Sequence, residues 1–419
     1  KPAVLCITDG SWLILPRGPA GPASCIMTRY SLYLHIPFCR HRCSYCDFNT
    51  YTTVNDLQSA YAEALMAEIR QVGTAARAAG DTAPVVHTIF FGGGTPTLMT
   101  AAQIEAILAT VQAEFSLEPG AEITMEANPE TVDEPYLAAL RAAGVNRLSF
   151  GVQSVVPAEL ELLGRTHDFA RVRTAVADAR AAGFRRVNLD LIYGVPGQTL
   201  ASWDESLAGA LSLAPEHLSL YALTVEPGTP MGRWLDSGAM SAPDPDLAAD
   251  QYELAGTKLG EAGFEQYEIS NWSLPGEACR HNLTYWRNEP FLGLGAGAHG
   301  FVNGVRYQTV RQPRVYIRRL AGAAEALEFP LSTAVADWHR EETGEAMATQ
   351  LMMQLRLLRE GLDPAGFEAR FGLPLSEQFG PIMAELADWG LLVWRGGRLF
   401  LTDRGRLLSN QVFYRFLPE

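Results

Sequence analysis

The stretch LYLHIPFCRHRCSYCDFN, from Leu32 to Asn49, decides the fold because it holds three closely spaced cysteines. Cys39, Cys43 and Cys46 form a C-x3-C-x2-C triplet. A [4Fe–4S] cubane is usually held by four thiolates, so three thiolates leave one iron open to a small ligand. Zinc is the alternative, but zinc ligands usually come as two pairs, and the other cysteines of this chain stand alone. The triplet therefore predicts a cluster that these three cysteines hold.

The composition limits the class of protein. The 419 residues include 47% apolar and 19% charged residues, which is ordinary for a globular chain of two or three domains. A formal net charge of −14 argues against broad, salt-dependent binding to nucleic acid or to anionic lipid. Six cysteines are too few for a disulfide framework, and a cluster needs reduced thiolates, so we expect a cytoplasmic protein. No apolar run reaches the ~20 residues of a membrane span.

Residues 1–28 differ in character from the rest of the chain. They hold a short apolar patch, Trp12 to Leu15, and then a stretch rich in proline, glycine and alanine. One basic residue precedes the patch, which is too short for the apolar core of a signal peptide. Met27 lies just before the first predicted strand. We therefore expect residues 1–28 to be a disordered or artefactual extension.

Short apolar runs alternate with helical patterns as far as about Leu223. Six runs predict strands: Leu32–Ile36, Val85–Phe91, Glu122–Glu126, Asn146–Phe150, Val187–Leu191 and His217–Leu220. The intervals predict a helix capped by Asp56, followed by helices at Ala101–Phe115, Glu134–Ala143, Ala158–Leu163, Asp168–Ala182 and Ser202–Leu213. Gly144 and Gly183 close two of them. Parallel strands need crossover helices, so the pattern predicts an α/β fold, a partial (β/α)6 barrel, over residues 29–225.

The alternation stops after about residue 225. Prolines surround one amphipathic stretch, residues 246–263, and we expect residues 226–336 to form an extension that caps the barrel. Residues 337–419 predict three helices and a hairpin that turns at Gly396-Gly397. This order resembles a winged-helix unit, so we expect a mixed α/β, winged-helix-like C-terminal domain. The acidic chain and the lack of a clear recognition helix favour a packing or lid role, and we expect no nucleic acid partner.

Polar residues and glycines follow the predicted strands at the end where barrel enzymes carry their chemistry. The glycine run that ends at Gly94 lets the backbone approach a ligand closely. Glu126 ends the third strand, and a carboxylate there is costly unless it has a partner such as an ammonium group or a ribose hydroxyl. Gln153, Arg165 and Asp190 follow on the later strands. Each alone is more often a bracing residue, but in this order on successive strands they indicate a ligand site.

These motifs resemble those of the radical SAM superfamily. The order LYxHIPFC, GGGTPT, MEANPE, FGVQS, LGRTH and DLIYGVPGQ, over residues 31–200, is similar to the oxygen-independent coproporphyrinogen III oxidases and their relatives. The resemblance implies a [4Fe–4S] cluster whose open iron takes the methionine end of S-adenosylmethionine (SAM). It also implies that SAM contacts Tyr33, Gly93, Gly94, Thr95, Glu126, Gln153, Arg165 and Asp190. Some of these residues bind a second SAM in the oxidase, so one or two SAM molecules stay open.

The chain departs from the oxidase pattern in two places. The oxidase carries a fourth cysteine two residues after the third, and this chain has Phe48 there. The oxidase also has a long N-terminal arm over its active site, and the residues before Ser31 are unlike that arm. Both departures argue against decarboxylation of a porphyrinogen.

The segment His281-Asn282-Leu283-Thr284-Tyr285-Trp286 resembles the HNxxYW motif of HemW-type haem chaperones. The resemblance implies haem binding by His281, Asn282, Tyr285 and Trp286. Histidine is a common axial ligand of haem iron, and the two aromatic side chains offer flat surface to a porphyrin. An isolated histidine would more often be a satisfied core residue.

Residues beside the motif add further candidates. Arg280 and Arg287 flank it and could pair with haem propionates. His299 and Cys279 are alternative iron ligands, although the Cys279-to-His281 run is too short for a haem-attachment motif.

Two classes of function follow. The first is a haem chaperone that binds haem and a SAM-ligated cluster and delivers haem to respiratory haemoproteins. The second is an enzyme that abstracts hydrogen through a 5′-deoxyadenosyl radical, such as an oxygen-independent coproporphyrinogen III oxidase, and it needs a substrate C–H bond near SAM. Phe48 and the HNxxYW segment favour the first. A transient membrane-proximal partner and a homodimer stay open.

Overall fold

The computed structural model describes residues 29–81, 84–322 and 328–417, and the backbone of two N-terminal strands. These strands, β1 (Leu5–Thr8) and β2 (Ser11–Ile14), pair antiparallel. For these eight residues the structure has regular strands where the sequence predicted a disordered or artefactual extension. Residues 1–4, 9–10 and 15–28 of the predicted extension lie outside the described residues.

Six parallel strands form the centre of the main sheet, and all six were predicted. They are β3 (Arg29–Ile36), β4 (Val85–Gly93), β5 (Ser116–Ala127), β6 (Arg147–Gln153), β7 (Val187–Tyr193) and β8 (His217–Ala222). Each strand pairs in parallel with the next strand in the chain. This sequential order is that of a singly wound barrel. Further strands pair with β3 at one edge and with β8 at the other, so the sheet is open, as expected of a partial barrel.

Helices connect these strands, as the alternating pattern predicted. They are α1 (Gln58–Ala78), α2 (Ala101–Glu114), α3 (Glu134–Ala143), α4 (Pro157–Leu162), α5 (Phe169–Ala181) and α6 (Leu200–Ser212). One N-cap prediction was wrong. Asp56 lies inside a 3-10 turn, Asn55–Leu57, that runs directly into α1, so Asp56 caps nothing.

The next part of the chain lengthens the sheet at both edges. Its elements are α7 (Pro230–Asp236), α8 (Pro245–Glu261), β9 (Glu265–Glu268), β10 (Asn271–Ser273), α9 (Arg280–Trp286), β11 (Phe291–Leu294), β12 (His299–Val302), β13 (Val305–Thr309), α10 (Pro313–Leu320) and β14 (Val335–Arg340). The strand order is β14-β13-β12-β11-β3-β4-β5-β6-β7-β8-β10-β9, with β11 parallel to β3. The predicted border between residues 336 and 337 was wrong, because it falls inside β14, which pairs with β13.

The C-terminal part has the predicted three helices and hairpin. Its elements are α11 (Thr343–Leu355), α12 (Pro364–Phe371), α13 (Leu375–Asp388), β15 (Leu392–Arg395), β16 (Arg398–Leu401), α14 (Asp403–Leu407) and α15 (Ser409–Tyr414). Gly396 and Gly397 make the predicted turn, both at positive φ. A cluster of buried side chains from Met347 to Phe416 gives this part a hydrophobic core of its own. Among the described residues, no helix combines the length and the apolar character needed to cross a membrane.

Two glycines in helical contexts allow a matched stability test. Gly144 ends α3 in the left-handed region, at φ +114°, as its predicted cap role requires. Gly256 lies inside α8 with open space around the position of a Cβ. We expect Gly144→Ala to lower the free energy of unfolding by about 1 kcal/mol and Gly256→Ala to raise it by about 1 kcal/mol. Denaturant unfolding of both variants measures this, and equal effects of the same sign would contradict the cap assignment.

Candidate functional site

A cavity of about 570 Å³ opens at the C-terminal ends of β3 to β8 and extends along the strands toward their N-terminal ends. Its lining includes every predicted cluster and SAM residue: Cys39, Cys43, Cys46, Tyr33, Gly93, Gly94, Thr95, Glu126, Gln153, Arg165 and Asp190. It also includes His281, Asn282 and Tyr285 of the HNxxYW segment. Such a volume suits a ligand of the size of a nucleoside derivative. The sequence prediction that these residues share one site is therefore matched by their positions.

The three cysteines lie on the loop that follows β3. The backbone fixes this loop, since the Cys39 N–H donates to Tyr51 O at 3.0 Å and the Ser44 N–H donates to Leu163 O at 3.2 Å. Burial raises the pKa of the Cys39 thiol, and it raises the pKa of Cys46 to about 11. In the described part of the chain, no three such side chains converge on a single metal ion. All three cysteines line the same cavity, where each could hold a different iron of one cubane.

Two donors face the sulfur atoms. The Arg165 Nη1 lies 3.3 Å from the Cys43 Sγ, and the Thr95 hydroxyl donates to the Cys39 Sγ at 3.6 Å. Hydrogen bonds and a nearby cation stabilise a thiolate, which is the form that binds metal. The set of thiol ligands and donors therefore fits an iron–sulfur cluster.

The glycine turn leaves backbone surface open to the cavity. Gly93 has φ +109°, and a Cβ there would lie 2.3 Å from the His35 ring. A Cβ on Gly94 would lie 2.6 Å from the carbonyl oxygen of Phe38. Only glycine fits either position, because the turn packs directly against the His35 ring and the Phe38 backbone. The turn itself lines the cavity, where the resemblance implies that the methionine end of SAM binds.

Two carboxyl groups stand opposite the cysteines. Glu126 accepts the Gly93 N–H at 2.9 Å, and burial, with the neighbouring Asp190, raises its pKa to about 8. Asp190 accepts from Ser149 at 2.9 Å and from Asn188 at 2.8 Å, and burial raises its pKa above the ordinary value. A cation that enters the cavity, such as an ammonium group, would favour the ionised form of both groups.

Gln153 and Arg165 complete this wall. Gln153 has φ +69°, which is strained for a non-glycine residue, and it follows a register shift between β6 and β7. Arg165 donates to Gly151 O at 2.8 Å, while its Nε is buried without a partner. A strained backbone and an unsatisfied guanidinium nitrogen at one place are typical of a ligand site.

Helix α9 carries the HNxxYW segment and lies below the cavity, against the interior of the sheet. The His281 ring stacks on Phe90 at 5.2 Å between centroids. Its Nδ1 lies 2.8 Å from the Thr88 hydroxyl and its Nε2 lies 2.8 Å from the Tyr285 hydroxyl. Burial lowers the pKa of His281 to about 3, so the ring is neutral. Both ring nitrogens are thus engaged, and iron coordination at Nε2 would require the Tyr285 hydroxyl to move.

The structure does not bring Trp286 to the cavity. One residue turns a helix by ~100°, so Tyr285 faces the cavity while Trp286 faces the C-terminal helices. There the Arg356 guanidinium lies 4.1 Å from its ring centroid. Trp286 as a haem-binding residue therefore stays a prediction that this conformation does not support.

The flanking residues are also engaged elsewhere. Arg280 pairs with Glu118 at 3.3 Å, and Arg287 forms a two-pronged contact with Glu360 at 2.9 and 2.5 Å. Propionate binding by these arginines is therefore not supported by their positions. His299 is exposed on β12 and does not line the cavity, whereas Cys279 does.

Residues that the sequence reasoning missed also line the cavity. Arg147 and Ser149 precede Gln153 on the same face of β6, and Asn188 precedes Asp190 on β7. Side chains two apart on a strand share a face, so counting back by two from each predicted residue would have found them. These residues lie further from the C-terminal ends of their strands than the residues that the sequence motifs marked.

Family models and relatives agree with this geometry. A model described as the radical SAM superfamily matches residues 33–208, and one described as the HemN C-terminal domain matches residues 344–408. The heme chaperone HemW of Mycobacterium tuberculosis is 40% identical over 383 residues, 91% of this chain and 93% of that protein. The heme chaperone HemW of Bacillus subtilis is 38% identical over 392 residues, 93% of this chain and 99% of that protein.

A solved structure supports the fold over nearly the whole chain. Coproporphyrinogen III oxidase (HemN) from Escherichia coli, described as a radical SAM enzyme, superposes with a TM-score of 0.77 at 25% identity. The match covers 93% of this chain and 90% of that one.

The burial of His281 predicts an acid-sensitive contribution to stability. Its pKa is about 3 in the folded protein and ~6.5 when unfolded, so below pH 6.5 the unfolded chain binds more protons. The contribution of neutral His281 to the free energy of unfolding is therefore fully present above pH 6.5 and is lost as the pH falls toward its folded-state pKa. Between pH 7 and pH 5, wild type should lose about 2 kcal/mol more unfolding free energy than His281→Gln. Denaturant unfolding at both pH values measures this. Asn282→Ala, which removes no titrating group, should follow wild type, and parallel curves for wild type and His281→Gln would contradict the assignment.

Proposed function

The chain belongs to the HemW family of radical SAM proteins, and from this premise we propose that it is a haem chaperone that delivers haem to respiratory haemoproteins. In this proposal it binds haem together with a SAM-ligated [4Fe–4S] cluster. The positions of the chain's own residues support it, as does the resemblance to curated haem chaperones along nearly the full length of the chain.

The residues for the cluster and SAM follow from the cavity. We propose that Cys39, Cys43 and Cys46 hold the cluster, which would supply an open iron for SAM. Arg165 and Thr95 stabilise the thiolates through the contacts at 3.3 and 3.6 Å. Tyr33, whose hydroxyl lies 3.0 Å from the His35 Nδ1, and the glycine turn would shape the space for SAM. Glu126, Gln153 and Asp190 would form hydrogen bonds or ion pairs with its polar groups.

One observation carries the choice of a chaperone over an oxidase. His281, Asn282 and Tyr285 line the same cavity as the cysteine triplet, and Phe48, which also lines it, occupies the place of the fourth cysteine of the oxidase. Phe48 is 63% exposed, so a large apolar side chain stands at the rim of the cavity. An exposed aromatic side chain suits contact with a flat apolar ligand.

We propose His281 as the iron ligand, with Tyr285 as a competing hydrogen-bond partner. In the ligand-free arrangement the Tyr285 hydroxyl holds the Nε2 at 2.8 Å. Haem would displace this hydroxyl, so it would bind reversibly, as a protein that passes haem on requires. Haem is the partner that this site recognises, and the recipient haemoproteins, a cytoplasmic location, a membrane-proximal partner and a homodimer are expectations from the sequence.

Removal of one triplet cysteine should remove the cluster. After anaerobic reconstitution with iron and sulfide, Cys43→Ala should lose the brown visible absorbance and most of the bound iron and sulfide, because two thiolates hold a cubane poorly. Cys279→Ser is the matched control, since Cys279 lines the same cavity outside the triplet. Full iron and sulfide in Cys43→Ala, measured by chemical analysis, would reject the ligand assignment.

The engagement of His281 predicts opposite effects of two substitutions on haem affinity. Tyr285→Phe keeps the aromatic surface and frees the Nε2, so haem should bind about five-fold more tightly, the equivalent of one hydrogen bond of ~1 kcal/mol. His281→Gln should weaken haem binding and shift the Soret band. Titration of the reconstituted protein with haem measures both, and Trp286→Phe, outside the cavity, should resemble wild type. Unchanged affinity in His281→Gln would assign the ligand to another residue.

The same preparation tests the enzymatic alternative. We expect stoichiometric haem binding and no decarboxylated product when coproporphyrinogen III, SAM and a reductant are added. Decarboxylated product with weak haem binding would overturn the chaperone proposal in favour of a radical SAM enzyme.

A further inference from the structure

The cavity contains two adjacent polar side chains that no part of the SAM or cluster site uses. Thr124 on β5 and Arg147 on β6 are partners in the parallel register of these strands, and both line the cavity. They are 1% and 2% exposed. Among the residues that the structure describes, the Thr124 Oγ1 and the Arg147 Nη2 find no hydrogen-bond partner.

Two such atoms side by side need an explanation. A buried polar atom without a partner costs about 1–3 kcal/mol, and an unsatisfied guanidinium nitrogen costs more. Native proteins therefore leave few such atoms, and those they leave usually mark a bound water or ligand. Valine would fill the same space without a hydroxyl group, so the buried, unpartnered Thr124 hydroxyl points to a partner that enters the cavity.

The position of the pair is distinct from the glycine turn and the cysteines. In the strand register Tyr33 lies opposite Phe90, Phe90 opposite Thr124 and Thr124 opposite Arg147, which makes one layer across four strands. Glu126 lies two residues further along β5 on the same face, so the layer sits about 7 Å below it. Helix α9 lies directly beneath, where the backbone of His281 donates to Glu122.

The unpartnered donors of Thr124 and Arg147 favour a ligand with acceptor oxygens, and the charges around Arg147 limit how much negative charge that ligand can carry. Its ion-pair partner is Glu122, with a separation of 3.7 Å. Glu122 is already committed to α9, because its Oε1 accepts from the His281 N–H at 3.0 Å and from the Cys279 thiol at 3.4 Å. Burial raises the pKa of Cys279 to about 12, so this thiol adds no negative charge. Glu122 would repel a phosphate dianion more strongly than a carboxylate with a single charge, and the two carboxylate oxygens suit a guanidinium N–H and a hydroxyl donor.

We propose that Thr124 and Arg147 form a carboxylate subsite at the floor of the cavity. The carboxylate belongs either to a haem propionate or to the methionyl group of a second SAM molecule, which share this chemistry, because the methionine end of a first SAM would lie at the open iron and the glycine turn. In the first case the subsite rests on the proposed haem function and replaces the propionate contacts that Arg280 and Arg287 do not make. The Arg147 Nη2 and the Thr124 hydroxyl each donate one hydrogen bond to it.

The test uses Thr124→Val in the full-length, cluster-loaded protein. The substitution keeps the shape and removes a hydroxyl that has no partner, so the unfolding midpoint of the ligand-free protein should not fall. Thr110→Val is the control, because the Thr110 hydroxyl, on α2, bonds only to Ala106 O of its own helix. Arg147 itself is a poor first target, since its removal leaves Glu122 buried without a charge partner.

Affinities are measured for two pairs of ligands. The first pair is haem and its dimethyl ester, and the second is SAM and decarboxylated SAM. For one pair, Thr124→Val should weaken binding of the carboxylate form about five-fold and leave the carboxylate-free form unchanged. The pair in which only the carboxylate form loses affinity shows coupling to Thr124 and identifies the source of the carboxylate. Thr110→Val should show no such selective loss.

The outcomes separate the subsite from the haem function. Absence of coupling for both pairs would overturn the subsite and leave a bound water as the partner of Thr124 and Arg147. Failure of the wild-type protein to bind haem would overturn the proposed function, and the SAM pair alone would then decide the subsite.

Discussion

The parallel register of β3 to β8 is the constraint on which the rest of the structure depends. Parallel pairing places the same end of every strand at one edge, so residues far apart in the chain meet there. Cys39 follows β3, while Glu126, Gln153 and Asp190 lie on β5, β6 and β7, and all four line one cavity for this reason. Alternation along each strand then continues the lining downward in layers, which is how Thr124 and Arg147 come to face the same space.

A polar interior in an open sheet must be closed from below, and α9 does this. The Glu122 side chain accepts the His281 N–H, and Thr88 contacts the His281 ring, so buried groups of the strands are satisfied by the helix. The outer face of α9 is fixed by the Trp286 stack with Arg356 and by Arg287 with Glu360. Helix α9 therefore contacts both the cavity and the C-terminal helices. Its two aromatic residues face different sides for this reason, with Tyr285 toward the cavity and Trp286 toward Arg356.

The sequence predicted the helices and strands better than it predicted the long-range contacts between them. Apolar alternation and glycine turns are local, so the six strands, the crossover helices and the Gly396-Gly397 hairpin were found. The predicted border at residues 336 and 337 failed because nothing local shows that β14 pairs with β13. The SAM residues share a cavity as expected, since strand ends in a parallel sheet have only one place to meet. Arg147 was missed because it begins its strand, and the partners of Arg280 and Arg287 are far away in the chain.

The electrostatics of the cavity indicate how it responds to what it binds. Burial raises the pKa of Cys39, Cys46, Glu126 and Asp190, so in the ligand-free protein it shifts each of these groups toward its neutral form. Iron or an ammonium group would reverse this preference and displace protons, because both are stabilised by anionic partners. Loading should therefore be stronger at higher pH. Acidic groups that can take up a proton when no cation is bound avoid part of the cost of buried anions, and they still offer negative charge to a cation that enters the cavity.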